Sequence, residues 1–233
     1  VGILYQNDPC GEDYRNSIKD HLADASLLVS EQTYEPGAPD LRSQIINIQS
    51  AGAEVVVLGA VPTASGAAII AANTLDYHPQ WVVSYVNAHT SLASVIGGGT
   101  EPDQLGQGFA LLDGTISNNY QLDAVGNADD PAMVEHARIM DAYGGPGLST
   151  LSVYGQSLAE LTVEALGGAC DNLTRDGLLE SVEAIEDFTP TVFVPGISVT
   201  FGPTDHRAIE TLQPTRIEAD GTLTPVGDLV SIE

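Results

Sequence analysis

Apolar positions in the first half of the chain alternate between two spacings. Short apolar runs predict strands at 1–6, 27–34, 54–59, 80–86 and 107–112. Apolar residues three or four positions apart predict helices between them, at 12–25, 41–51, 63–77 and 90–96. This alternation predicts an α/β fold with a doubly wound parallel sheet and right-handed crossovers.

Local signals mark the ends of the second predicted helix. Asp40 is predicted to be its N-cap, and Gly52 is predicted to end it. Its isoleucines, Ile45, Ile46 and Ile48, are predicted to point inward. The run at 54–59 that follows is apolar throughout, which is typical of a parallel strand buried on both faces.

The pattern changes after Leu122. Three helices are predicted, at 130–143, 150–167 and 174–185, and glycines at 144–147 end the first of them. Strand spacing returns at 192–194 and 197–202, and a turn follows at 203–206. The Ala-Asp-Gly segment at 219–221 predicts a hairpin between strands at 213–218 and 223–226.

The loop at 7–11 is the first candidate site. It connects the first predicted strand to the first predicted helix, and open α/β folds build binding sites where strands end in this way. The unpaired N–H groups and the dipole of a helix N-terminus favour an anionic group there. The loop is consistent with an anion cradle, a catalytic loop or the wall of a ligand pocket.

The charge balance excludes several partners. The chain has 7 Lys and Arg against 32 Asp and Glu, which gives a net charge of −25, and Lys19 is its only lysine. A nucleic acid is excluded because nothing could neutralise a run of phosphates. The hydrophobic content of 43% indicates a globular protein, and no apolar run is long enough to span a membrane.

No catalytic or metal-binding set is found. The glycine clusters lack the lysine of a P-loop, and Gly106 and Gly108 do not form a dinucleotide fingerprint, so no cofactor is predicted. Ser157 lies within a predicted helix rather than on a nucleophile elbow. Cys10 could be a reactive thiol at a helix N-terminus, but no histidine is near it in sequence. The histidines have no metal-ligand spacing: His21, His78, His89, His136 and His206.

Four segments in order resemble a known family: 3–18, with its Asp-Pro-Cys-Gly loop; 31–63, with its Tyr-Glu-Pro-Gly turn; 153–182; and 201–226, with its Gly-Pro-Thr-Asp-His turn. The chain resembles the periplasmic (type I) solute-binding proteins of ABC transporters, in the branched-chain amino acid (Leu/Ile/Val-binding) class. The resemblance implies two α/β lobes that close on a small ligand. It also implies an ABC transporter permease as partner, no enzymatic activity, and a periplasmic or extracellular location with or without a lipid anchor.

The resemblance also implies a domain layout. Residues 1–123 would form the second lobe, residues 124–190 would be helices returning to the first lobe, and residues 191–233 would cross back and form the C-terminal hairpin. The sequence is therefore interpreted as an N-terminally truncated piece that lacks the start of the first lobe.

The resemblance assigns a set of ligand-binding positions in the second lobe: Asp8, Cys10, Gly11, Val61, Pro62 and Tyr85. Cys10 stands where the family has a tyrosine over the ligand, and Tyr85 stands near the position of an acidic residue that takes a ligand ammonium. These departures favour an amide, an aromatic compound or an organic acid at least as well as an aliphatic amino acid. Two alternatives stay open: a ligand-sensing domain of a receptor or regulator, and a small α/β hydrolase that uses Ser157 or Cys10.

Overall fold

The computed structural model describes residues 1–38, 40–87, 90–145 and 149–232. The chain forms two compact units. Unit 1 comprises Val1–Asn118 and Thr215–Thr224, and unit 2 comprises Asn119–Pro214 and Pro225–Glu233. The lobe boundaries expected from the resemblance stay a prediction. Some residues named above lie outside the described part of the chain: Pro39 in the segment 31–63, His89, and residues 146–147 of the predicted break.

Unit 1 is built on parallel strands in the order β2-β1-β3-β4-β5, namely β1 (Gly2–Gln6), β2 (Ser30–Tyr34), β3 (Val55–Gly59), β4 (Gln80–Val83) and β5 (Ile116–Asn119). Its helices are α1 (Pro9–His21), α2 (Arg42–Ser50), α3 (Pro62–Thr74), α4 (Thr90–Gly97) and α5 (Pro102–Leu112). The predicted α/β class with a parallel sheet is confirmed.

The core of unit 1 lies between the sheet and these helices. Leu4 and Leu58 are cross-strand neighbours on β1 and β3, and both are fully buried. Ile45 and Ile48 of α2 pack into the same cluster. The prediction for Ile46 was wrong, because its side chain lies on the outer face of α2 and is 40% exposed.

The strand predicted at 107–112 is wrong, because those residues form the end of α5. Pro102 occupies the first turn, and Glu101 and Gln104 form a reciprocal capping box at its start. Gly108 is buried in the helix, where a β-carbon would lie 2.0 Å from the Ala93 carbonyl oxygen. The fifth strand is instead β5, at Ile116–Asn119.

Several predicted boundaries also move. Helix α1 begins three residues earlier than predicted and ends at His21, and Ala25–Leu27 form a 3-10 turn before β2. Strand β4 ends at Val83, so Tyr85 lies in a 3-10 turn and not at a strand end. Leu41 rather than Asp40 occupies the N-cap position of α2, although the Asp40 carboxylate accepts a hydrogen bond of 2.8 Å from the Arg42 amide.

Unit 2 contains three helices, α6 (Pro131–Tyr143), α7 (Thr150–Gly168) and α8 (Arg175–Glu183), as predicted.

The predicted C-terminal hairpin is also confirmed: β6 (Thr211–Ile217) is followed by β7 (Leu223–Pro225), with Gly221 at a φ of +89° in the turn. A short strand, β8 (Val230–Ser231), pairs with β6. The strands predicted at 192–194 and 197–202 are wrong, because this region makes only isolated bridges such as Phe188 with Val199.

Candidate functional site

Three loops of unit 1 meet at one edge of its sheet. They follow β1, β3 and β4, which are parallel neighbours, so their carboxyl ends lie at the same edge. We call residues 7–11, 60–62 and 84–87 the strand-end edge. It carries all six residues that the resemblance assigns to ligand binding, and their role stays a prediction.

The first loop is held by Asp8. Its carboxylate caps α1 by accepting a hydrogen bond of 2.9 Å from the Gly11 amide, and it also accepts one from the Gln6 side chain. These hydrogen bonds, the Gly11 amide first, hold the pKa of the Asp8 carboxyl below its ordinary value. Gly11 is required here, because a β-carbon would lie 2.0 Å from the Gln6 carbonyl oxygen. The loop is thus a fixed feature of the β1–α1 connection.

Tyr34 joins the first loop to the second. Its side chain is 4% exposed at the end of β2, and its hydroxyl donates to Gln6 Oε1 at 3.1 Å. The Tyr34 hydroxyl oxygen also accepts a hydrogen bond of 3.3 Å from the Val61 amide. Burial raises the pKa of the Tyr34 phenol. Sequence reasoning missed this residue, because its partners are 28 and 27 positions away along the chain.

Asn87 joins the second loop to the third. It is fully buried, and its Nδ2 donates to the Ala60 carbonyl at 2.7 Å and to Ser84 Oγ at 2.9 Å. The residue follows Tyr85 within the 3-10 turn. Sequence reasoning missed Asn87 as well, because its partner Ala60 is 27 positions away along the chain. The two linking side chains together fix the relative positions of the three loops.

Apart from the half-buried carboxylate of Asp8, the solvent-facing side chains of the strand-end edge are neutral. Cys10 is exposed, and both it and Cys170 are free thiols. Val61 is 43% exposed and occupies the N-cap position of α3, where it makes no side-chain cap. Val86 is 48% exposed, and Tyr85 is half-buried. The edge contains no Lys, Arg or His, since its three segments read NDPCG, AVP and SYVN.

A polar network lies within unit 2. His136 is fully buried on α6, with Nδ1 at 2.7 Å from Gln156 Oε1 and Nε2 at 2.9 Å from Ser152 Oγ. Gln156 Nε2 donates to Glu160 Oε1 at 2.8 Å, and that carboxylate also accepts from the amide and hydroxyl of Thr191. The network lines a groove of about 830 Å³ whose other walls are largely apolar. Sequence reasoning treated His136 only as a residue without metal spacing.

The residues considered for catalysis are not brought together as a nucleophile site. Ser157 is buried within α7, and its hydroxyl donates to the Tyr154 carbonyl at 2.8 Å. His206 lies near Glu183, at 3.1 Å. Within residues 1–38, 40–87, 90–145 and 149–232, no cluster of three or more metal-ligating side chains is found. In the same part of the chain, no helix is long and apolar enough to cross a bilayer.

A family model and several curated proteins match this chain. A family model described as "Periplasmic binding protein" matches residues 1–222. Leu/Ile/Val-binding protein homolog 8 of Brucella abortus (strain 2308) is 25% identical over 231 residues, which cover 97% of this chain and 54% of that protein. The homologue from Brucella melitensis gives the same values. The chain thus spans about half the length of these curated relatives.

Solved structures share the fold. The crystal structure of a branched-chain amino acid ABC transporter from Thermus thermophilus with bound valine gives a TM-score of 0.79 at 19% identity, covering 100% of this chain and 60% of that one. The fatty acid ABC transporter substrate-binding protein from Thermomonospora curvata gives 0.78 at 20% identity, covering 100% and 57%. At this identity the two structures establish the fold. Because the two proteins are named for different solutes, they do not identify the solute of this chain.

Proposed function

This chain belongs to the periplasmic binding protein family, and we propose that it binds a small solute outside the cytoplasm and delivers it to the permease of an ABC importer. The observation that carries the proposal is the family match over residues 1–222. Structures of the same fold include one with bound valine and one of a fatty acid transporter's substrate-binding protein. The proposed solute is an amino acid, an amide, or an aromatic or organic acid.

The strand-end edge of unit 1 is the proposed contact surface. Its three loops lie at the carboxyl ends of parallel strands, where open α/β sheets bind ligands. Hydrogen bonds through Tyr34 and Asn87 hold these loops together, so the surface is formed before a ligand arrives. The contacts proposed within it are Asp8, Cys10, Gly11, Val61, Pro62 and Tyr85. No chemical step is assigned to them, since binding and release are sufficient for delivery.

Isothermal titration calorimetry against a panel of solutes tests the proposal. The panel contains aliphatic and aromatic amino acids, amides, urea, and aliphatic and aromatic carboxylic acids. Saturable binding of one solute class is expected, with no turnover of it. Failure to bind any member would overturn the proposal, and hydrolysis of an ester or amide substrate would then favour the hydrolase.

A further inference from the structure

We propose that the solute recognised at the strand-end edge has an apolar body and no ammonium group, and that Val61 is a specificity-determining residue for it. This inference rests on the proposed function and names the solute class. It is carried by three observations on unit 1: the side chains that the edge exposes, the engagement of its carboxylates, and the helices that begin there.

The exposed side chains suit an apolar body. Cys10, Val61 and Val86 all face solvent, and each is uncharged and weakly polar or apolar. Tyr85 adds a half-buried ring beside them. Asn87 is buried and turns toward Ala60 and Ser84, whereas Asn7 is exposed and donates to Glu35. A ligand that rests on Cys10, Val61, Val86 and the Tyr85 ring therefore meets mainly carbon and sulfur.

Two carboxylates at or near the edge, those of Asp8 and Glu35, already have partners. Asp8 caps α1 and accepts from Gln6, and Glu35 accepts a hydrogen bond of 2.6 Å from the Asn7 side chain. An ammonium group needs a carboxylate within a few ångströms to offset the loss of its hydration. To pair with Asp8 it would compete with the helix cap that positions the first loop.

Two helices begin at the edge. Helix α1 starts at Pro9 and helix α3 at Pro62, so the positive ends of two helix dipoles lie there. This field disfavours a cation and tolerates a neutral or anionic group. The dipoles, the engaged carboxylates and the neutral side chains all act against an ammonium.

Val61 is assigned this role because it departs from the usual residue preference at a helix N-cap. N-cap positions favour Ser, Thr, Asp or Asn, whose side chains accept a hydrogen bond from the first turn. Val61 occupies the N-cap of α3, is 43% exposed and provides no such bond. Departures of this kind occur preferentially at functional sites. An apolar residue is expected here because it contacts an apolar ligand.

Matched pairs of solutes test the inference. The full chain is titrated by calorimetry with 4-methylpentanoate against leucine and with 3-phenylpropanoate against phenylalanine, since each pair differs only in the ammonium group. At least one ammonium-free acid is expected to bind tenfold or more tightly than its amino acid. Equal or tighter binding of the amino acids, or binding confined to polar solutes of the wider panel, would overturn this inference alone. Absence of binding by the whole panel would overturn the proposed function as well.

Substitution at position 61 tests the role of Val61. Val61→Asp is expected to weaken binding of the preferred acid at least tenfold, while Val61→Thr, of similar shape and uncharged, is expected to weaken it less. The matched control is Val29→Asp. Val29 is 45% exposed, directly before β2 and thus at the opposite edge of the sheet. An unchanged affinity in Val61→Asp, or an equal loss in Val29→Asp, would refute the assignment.

Discussion

The hydroxyl of Tyr34 is expected to stabilise unit 1 through two hydrogen bonds. It donates to Gln6 Oε1 and accepts from the Val61 amide, and the side chain is 4% exposed. Tyr34→Phe keeps the ring and removes the oxygen, so the amide and the Gln6 oxygen lose a partner. A buried group left without its hydrogen bond costs about 1–3 kcal/mol. Because Val61 is partly exposed and water can reach its amide, we expect about 1–2 kcal/mol.

Trp81 provides the assay. It is the only tryptophan of the chain, it is 7% exposed, and it lies on β4 within unit 1, so its fluorescence reports the unfolding of that unit. For a urea slope of about 2 kcal/mol/M, the expected loss lowers the midpoint by roughly 0.5–1 M. Tyr14→Phe is the control, since Tyr14 is 37% exposed and its hydroxyl has no hydrogen-bond partner among the described residues. A Tyr34→Phe midpoint equal to that of the control would refute the reasoning.

The stability of unit 1 at alkaline pH is a second measurement of the Tyr34 hydroxyl contacts. Burial raises the pKa of Tyr34 above its ordinary value of 10.0. The folded state therefore holds this proton more tightly than the unfolded state does. The stabilisation is complete below the unfolded pKa and is lost as the pH rises through the folded one. Above pH 10 the stability of unit 1 is expected to fall less steeply in Tyr34→Phe than in the parent, and identical slopes would contradict this.

Two further changes act in unit 2. His136→Leu removes the ring that joins Gln156 and Ser152. It is expected to lower the free energy of unfolding by roughly 2 kcal/mol, because both partners lose a hydrogen bond. Thermal melts followed by circular dichroism measure this loss, and an unchanged melt would contradict the prediction. Arg207→Gln is expected to raise the pKa of Asp205 from about 2 toward 3.8, because the Arg207 side chain is the main cause of the depression. The stabilisation by that pair is present above the unfolded pKa and lost as pH falls through about 2. A carboxyl NMR titration follows it, and an unshifted Asp205 would refute it.

The fold of unit 1 was predictable where periodicity and apolar content agree. Strand β3 reads as a continuous apolar run because it is covered on both faces, and its neighbours β1 and β4 are apolar for the same reason. Helix α5 was not predictable in this way. The apolar run at its end was interpreted as a strand, and only the packed structure shows that Gly108 is selected by the close approach of the Ala93 carbonyl.

The site was predictable in position but not in its supports. The loop after β1 was identified because a strand that ends at a helix N-terminus is a local pattern. Tyr34 and Asn87 were missed because their partners are 27 or more positions away along the chain, at Gln6, Val61 and Ala60. Contacts of that separation leave no periodic trace. They depend on which strands become neighbours, and the sequence pattern did not specify that.

The proposed role of Val61 sets helix stability against ligand recognition at the strand-end edge. Its position was identified from the resemblance, but its conflict with helix capping is visible only once α3 is known to begin at Pro62. A capping side chain at this position typically contributes about 1 kcal/mol, and valine contributes none of it. A mutation that improves the helix here therefore adds a polar or charged group where an apolar ligand body is proposed to rest. Under the proposed role, the residue best suited to folding and the residue best suited to binding differ at this position, and valine is the second.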